Sequence, residues 1–117
     1  MRAREIAVVA GSIAGPMLAG LTLWGHAAAG PADVTVKLFQ FQPGTLAVTR
    51  GTAVTWTNQD DIRHTVTSGS PEKRDNMKFN AELAGKGAMT RVTFAEAGVF
   101  IYFCDRHQSM RGEIHVQ

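Results

Sequence analysis

The sequence predicts an all-β protein that folds as a single antiparallel β-sandwich domain of about seven or eight short strands. Three observations predict this fold class. From Ala32 onward, short alternating or continuous apolar runs follow one another, and none of them has a convincing helical period. Turn signals separate the runs every ~8 to 12 residues. The 117 residues, 44% hydrophobic and 19% charged, fit one globular domain.

The first predicted strand is the alternating run "DVTVKLFQF". Successive side chains of a strand point to opposite faces, so one face receives Val34, Val36 and Leu38. The opposite face receives Thr35, Lys37 and Phe39. The turn signals at residues 43–44 and 50–51 then bound a second strand within "PGTLAVTRG".

The remaining strands are read in the same way. "TAVTWTN" alternates through Val54 and Trp56, and "HTVTS" is a short strand that stops at a glycine. Residues 70–87 are polar and irregular, which predicts a long connection with one short strand or helical turn. "GAMTRVTFAEAG" predicts a strand with Met89 in the core. The continuous apolar run "VFIYFC" predicts a central strand buried on both faces, and "RGEIHVQ" predicts a last alternating strand.

The N-terminus has the pattern of an export signal. Arg2 and Arg4 precede a charge-free stretch, residues 6–24, and small residues follow at Ala27 and Ala29. A basic start, an apolar centre and small residues at the end are typical of a secretory signal peptide, which predicts residues 1–29 as a leader cleaved after Ala29. An uncleaved membrane anchor is the alternative, since the stretch is just long enough to span. The predicted folded domain is residues 30–117, located in the periplasm.

Charge and cysteine content exclude several classes of protein. The formal net charge is +2, without the basic face that phosphate binding needs, so we expect no nucleic-acid partner. The chain has one cysteine, Cys104, which cannot form an internal disulfide. A single thiol in an oxidising compartment is a liability unless it is buried or held by a metal.

That cysteine opens a set of possible metal donors. In "YFCDRHQSM", His107 follows Cys104 by three residues and Met110 follows His107 by three, while His64 begins "HTVTS" after the polar loop "NQDDIR". Two histidines, one cysteine and a weak axial methionine form the donor set of blue copper sites. Zinc fits less well, because structural zinc sites more often take two to four cysteines. The sequence therefore predicts one copper ion.

Each residue also has a plainer interpretation. Cys104 could be a small core residue, Met110 could fill the core, and His64 could lie at a strand end without binding anything. The joint spacing at a strand end and an upstream strand start favours a metal site over these separate explanations. Of the other possible donors, His115 is predicted to face solvent and Met77 to lie on a surface loop.

With these residues identified, the chain resembles the cupredoxins, the plastocyanin and azurin family of blue copper proteins. The resemblance covers the domain from "VTVKLFQFQPGTLAVTRGTAVTWTNQDDIRHTV" to "GVFIYFCDRHQSMRGEIHV", and the short spacing from cysteine to histidine to methionine is most similar to amicyanin. It implies an eight-stranded Greek-key sandwich. It also implies one type 1 copper ion with the ligands His64, Cys104, His107 and Met110.

The chain departs from the family pattern around the second histidine. Arg106 stands where proline is frequent, Thr65 stands where asparagine or serine often braces the thiolate, and Phe103 replaces a tyrosine. The residues beside His107 are usually apolar in the family, whereas here they are Asp105, Arg106, Gln108 and Ser109. These departures predict a more polar and more charged docking surface.

The function that these observations predict is a mobile one-electron carrier of the periplasm, monomeric and not an enzyme. Its expected partners are a periplasmic dehydrogenase, a c-type cytochrome or both, with no membrane contact unless the leader is retained. A copper-binding or trafficking module without a shuttle role is the alternative. A multicopper enzyme would need more histidines than the three beyond residue 29. A Cys104 nucleophile with His107 as its base would lack recognisable oxyanion donors.

Overall fold

In the computed structural model, residues 32–75 and 78–117 are described, and they form nine β-strands. The predicted leader, residues 1–29, and Met77 lie outside the described residues. Among the residues that are described, no helix is long and apolar enough to cross a membrane. The strands are β1 Ala32–Lys37, β2 Gln40–Gln42, β3 Thr45–Val48, β4 Thr52–Asn58, β5 His64–Ser68, β6 Asn80–Leu83, β7 Met89–Phe94, β8 Gly98–Phe103 and β9 Arg111–Val116.

The strands form two sheets, which confirms the predicted β-sandwich. One sheet has the order β2-β1-β4-β7 and the other has the order β3-β9-β8-β5-β6. Most neighbours are antiparallel, but β1 pairs with β4 and β3 pairs with β9 in parallel. Parallel neighbours need a crossover connection. Here the chain crosses to the other sheet between the two members of each parallel pair, so both sheets are mixed.

An aromatic cluster fills the space between the sheets. The ring of Trp56, from β4, lies 5.3 Å from that of Tyr102 on β8 and within 6.4 Å of those of Phe79 and Phe94. The alternation predicted for β1 and β4 is confirmed at Val34, Val36, Val54 and Trp56, all of which are buried. Buried aromatic and branched side chains supply most of the driving force for folding, so these strands are the rigid part of the domain.

Met89, which was predicted for the core, is exposed, and Leu38 does not share the buried face of Val34 and Val36. Leu38 is 70% exposed because β1 ends at Lys37, and the backbone then passes through left-handed conformations at Leu38 and Phe39, which stops the alternation. Met89 is 61% exposed because it lies an odd number of residues before the inward-facing Phe94. The core prediction for Met89 was therefore wrong, and so was the prediction that Leu38 lies on the face of Val34 and Val36.

The prediction for "VFIYFC" was correct in position and wrong in burial. β8 pairs with β9 on one side and β5 on the other, so it is central in its sheet. Val99 and Ile101, however, are exposed on the outer face, where none of the residues that the structure describes forms a further layer. Only towards its end is the strand buried on both faces, where the Arg74 guanidinium lies 5.8 Å from the centre of the Phe103 ring.

The long polar connection contains the short strand β6, as predicted.

One end of the sandwich carries the start of β5, the end of β8, the β8–β9 loop and the β1–β2 turn. All the predicted metal donors belong to these segments.

Candidate metal centre

The β8–β9 loop is closed by two backbone hydrogen bonds. The Cys104 amide donates to the Met110 carbonyl at 3.0 Å, and the Met110 amide donates to the His107 carbonyl at 2.9 Å. Cys104 follows the end of β8 and is fully buried, whereas His107 is partly exposed. The closed loop therefore holds a buried thiol and a surface imidazole at the same end of the sandwich.

The first residue of β5 completes the group. His64 is fully buried, and its Nδ1 lies 3.8 Å from the Cys104 sulfur. Nδ1 of His107 lies 3.9 Å from the same sulfur. The donor atoms of the three residues all lie within 4.8 Å of one another. The structure thus brings together three of the four predicted donors, which come from two distant parts of the chain.

This group fits copper on the chemistry of its donors. A thiolate stabilises Cu(I), and imidazole accommodates both Cu(I) and Cu(II). The Cys104 thiol is buried and has no disulfide partner, so its sulfur is available as a metal ligand. Among the described residues, His64, Cys104 and His107 form the group whose donor atoms lie close enough together to hold a metal ion.

Met110 and His115 differ in where the structure places them. Met110 is 2% exposed and packs with the hydrophobic core, while its backbone bonds to both Cys104 and His107. Met110 lies at the end of the β8–β9 loop, a position that is compatible with an axial donor, and that role stays a prediction. His115 lies on β9 outside the donor group, with Nε2 2.7 Å from Glu113 and a side chain 42% exposed, which agrees with the predicted solvent-facing position.

Thr65 ties the two parts of the site together. Its amide lies 3.4 Å from the Cys104 sulfur and donates to it. Its hydroxyl oxygen accepts a 2.7 Å hydrogen bond from the Asp105 amide and lies 3.0 Å from the hydroxyl of Thr67. Thr65 thus forms hydrogen bonds with both the Cys104 sulfur and the β8–β9 loop, at the position where the family often has asparagine or serine.

Asp60 is a site residue that the sequence analysis missed. One of its carboxylate oxygens lies 2.8 Å from His64 Nε2 and 3.0 Å from the Phe39 amide, and the other accepts from the Leu38 amide at 2.8 Å. Burial raises the pKa of the Asp60 carboxyl. Hydrogen bonds from the Phe39 amide, from His64 and from the Leu38 amide outweigh that effect, so the pKa lies below its ordinary value. An ionised carboxylate therefore stands behind His64. An acid four residues before a histidine in "NQDDIR" was its only sequence signal.

Phe39 is a second residue that was missed. Its ring packs edge-on against both imidazoles, with centroid distances of 5.2 Å to His64 and 4.8 Å to His107. Phe39 is 46% exposed and its neighbour Leu38 is 70% exposed. The surface beside His107 is therefore not made of the polar loop residues alone, because an apolar turn from the other sheet adjoins it.

The polar loop residues themselves lie at the surface. Asp105 forms an ion pair with Arg74, while Arg106, Gln108 and Ser109 are exposed. The Asp105–Arg74 pair is partly exposed on both sides and contributes little to stability. Its effect is to hold Arg74 over the ring of Phe103.

The fold and the site together define a single-domain, copper-binding β-sandwich protein. A family model described as copper binding proteins of the plastocyanin/azurin family matches residues 28–117. The chain belongs to this plastocyanin/azurin family, as the resemblance predicted, and copper is the metal of the family.

Individual relatives agree with the family assignment. A plastocyanin from Scenedesmus fuscus is 31% identical over 98 residues, covering 73% of this chain and all of the relative. Amicyanin-alpha from Methylorubrum extorquens is 29% identical over 94 residues, covering 79% of this chain and 76% of the relative. Among solved structures, a purple cupredoxin from Nitrosopumilus maritimus superposes with a TM-score of 0.66 at 27% identity, covering 74% of this chain and 99% of that one.

Proposed function

We propose that this protein is a one-electron carrier with a single type 1 copper ion. The ligands are His64, Cys104 and His107, with Met110 as the weak axial donor. One observation carries the proposal: a buried cysteine sulfur and two imidazole Nδ1 atoms lie within 4.8 Å of one another. Copper bound there would supply the electron by alternating between Cu(I) and Cu(II).

The contribution of the protein is to hold the donors rigidly and dry. The Thr65 amide and the buried surroundings fix the Cys104 sulfur, and Asp60 fixes the imidazole of His64. A site whose ligands are fixed by outer hydrogen bonds reorganises little when its charge changes. His107 is the partly exposed ligand, so it is the proposed point at which electrons enter and leave.

The proposed setting is the periplasm. The pattern of residues 1–29 supports export, and residues 30–117 would be the mature, monomeric domain. The proposed partners are a dehydrogenase or a c-type cytochrome that docks near His107. The protein is proposed to be a carrier and not an enzyme, because one group of donors for a single metal ion is sufficient for one-electron transfer.

The visible and EPR spectra of the copper-loaded protein test the proposed site. We expect an intense thiolate-to-copper band and a type 1 EPR signal, both absent in Cys104→Ser. Met110→Leu should keep the colour and shift the reduction potential, because the axial bond is the weak one. A copper-loaded wild type without the visible band would refute the type 1 assignment.

Electron exchange with cytochrome c separates the carrier from a copper-trafficking module. We expect the reduced, copper-loaded protein to be reoxidised rapidly by oxidised cytochrome c in stopped-flow measurements. A protein that binds copper fully and shows the type 1 spectrum, but does not exchange electrons with any cytochrome, would favour the trafficking function.

A further inference from the structure

The Asp60 carboxylate connects two parts of the candidate metal centre that are distant in sequence, His64 and the β1–β2 turn. It contacts the ligand His64 through Nε2, and it accepts the backbone amides of Leu38 and Phe39. The Asp60 side chain is 12% exposed, so the carboxylate itself is largely shielded, whereas its two hydrogen bonds to the turn lie at the surface. Charge-assisted hydrogen bonds of this kind are the stronger ones in proteins.

The β1–β2 turn that Asp60 holds has an unusual sequence. Lys37 pairs with Gln40, so Leu38 and Phe39 are the two central residues of a tight hairpin turn, with φ angles of 54° and 58°. Such turns favour asparagine and glycine, because other residues adopt left-handed conformations at a cost. Leucine and phenylalanine at these positions indicate that the turn is kept for its side chains. Strained backbone that is held by surrounding contacts is typical of functional sites.

The side chain that this turn presents to the site is Phe39. Its ring makes edge-on contacts with both His64 and His107, whose own ring centroids are 5.1 Å apart. The ring therefore touches one imidazole from each part of the site. A displacement of the turn would remove a contact from both ligands at once.

The contact to His64 also fixes which nitrogen carries a proton. A carboxylate accepts hydrogen bonds, so this 2.8 Å contact favours the tautomer of His64 that carries its proton on Nε2. Nδ1, the atom 3.8 Å from the Cys104 sulfur, is then left with its lone pair for a metal. A carboxylate on the far nitrogen of a ligand histidine orients the ring and raises its basicity.

We propose that Asp60 is a positioning residue of the metal centre, acting through His64 and through the Leu38–Phe39 turn as one unit. This inference rests on the proposed function, since it assumes that His64 and His107 bind the copper. The carboxylate fixes His64 from behind, and the amides that it holds keep Phe39 across both imidazoles. Its negative charge favours the more positive, oxidised metal, so it lowers the reduction potential.

Asp60→Asn tests this role, with Asp61→Asn as the matched control. Both variants remove one negative charge, but Asp61 is exposed. We expect Asp60→Asn to raise the reduction potential and to weaken copper(II) binding about 10- to 100-fold, while Asp61→Asn changes both only slightly. Equal changes in the two variants would overturn the proposal, because they would reflect net charge alone.

Two measurements on the metal-free protein make the test independent of copper. Nitrogen-15 NMR of the wild type should show the proton of a neutral His64 on Nε2, and its presence on Nδ1 would overturn the proposal even if Asp60→Asn did not fold. The amides of Leu38 and Phe39 should exchange with solvent at least tenfold faster in Asp60→Asn than in Asp61→Asn. If the exchange rates of these two amides were unchanged, Asp60 would not hold the Leu38–Phe39 turn, and that part of the proposal would be wrong. If the loaded wild type lacks the type 1 spectrum, the proposed function fails, while these measurements still decide whether Asp60 holds His64 and the turn.

Discussion

The two sides of the metal centre are built in different ways. On one side, a short loop closed by backbone hydrogen bonds carries Cys104, His107 and Met110. On the other side, His64 depends on residues from two separate loops, including Asp60 and the Leu38–Phe39 turn. Donors that are close in sequence can be placed by the path of the backbone. A donor far away in sequence needs buried side-chain contacts to reach the same point.

The difference is also one of burial. The loop side carries exposed polar residues, Arg106, Gln108 and Ser109, around a partly exposed His107. The upstream side is built on Asn58, which is fully buried at the end of β4. Substitutions on the upstream side should therefore affect folding as well as the site, and substitutions of the exposed loop residues should leave folding almost unchanged.

Asn58→Ala should cause the largest loss. The side-chain amide of Asn58 donates to the backbone carbonyls of Ile62, at 2.9 Å, and Leu83, at 3.3 Å. Its side-chain oxygen accepts from the backbone amide of Asp60 at 2.9 Å. Removing the Asn58 side chain leaves one buried and two partly buried backbone groups without this partner, so we expect the free energy of unfolding of the metal-free protein to fall by about 2–4 kcal/mol. Urea denaturation followed by tryptophan fluorescence measures the change.

Gln59→Ala is the control for this prediction. Gln59 is the next residue and is exposed, so its replacement should change the unfolding free energy by about 0.5 kcal/mol or less. If both variants unfolded at the same urea concentration as the wild type, the 58–64 loop would not depend on Asn58, and the contrast between the two sides would be lost.

Thr65→Val should have a smaller effect, because it breaks the link between the two sides without removing either one. The variant keeps the shape of the side chain but leaves the Asp105 amide without the hydroxyl oxygen that accepts its hydrogen bond. We expect a loss of about 1–2 kcal/mol in the unfolding free energy of the metal-free protein. Thermal unfolding of the metal-free protein, followed by circular dichroism, measures the loss.

Thr65→Ser provides the rescue, since it restores a hydroxyl at the same position. We expect it to recover most of the stability that valine loses. A serine variant as unstable as the valine variant would mean that the methyl group of Thr65, and not its hydroxyl, carries the effect.

The sequence was sufficient for the parts of this protein that follow from local pattern. Strand alternation predicted that Val34 and Val36 share one face of their strand and that Val54 and Trp56 share one face of theirs, and all four side chains are buried. The spacing of Cys104 and His107, together with the strand start at His64, predicted a group of donors that the structure brings together. In each case the decisive information lies in neighbouring residues or in the chemistry of the donors.

The sequence was insufficient where a tertiary contact decides the local structure. Alternation predicted Leu38 on the face of Val34 and Val36, because nothing in "VKLFQ" marks a tight turn. The turn is held by Asp60, from another loop. The apolar run of β8 could not show that Val99 and Ile101 are exposed on the outer face of the sheet. Phe39 and the contacts between Asp60 and the turn were missed for the same reason, since the residues that meet there lie more than twenty positions apart in the sequence.

Leu38→Asn should have the smallest effect and the opposite sign. Leu38 is 70% exposed with φ at 54°, so its side chain contributes little packing while its backbone is in a conformation that asparagine adopts more easily. We expect the free energy of unfolding to rise by about 0.5–1 kcal/mol, measured by urea denaturation of the metal-free protein. Phe39→Gly relieves the same kind of backbone cost but removes the ring from both imidazoles, so we expect it to be less stable than Leu38→Asn. If Phe39→Gly were the more stable variant, the ring would contribute nothing to holding the upstream side of the site.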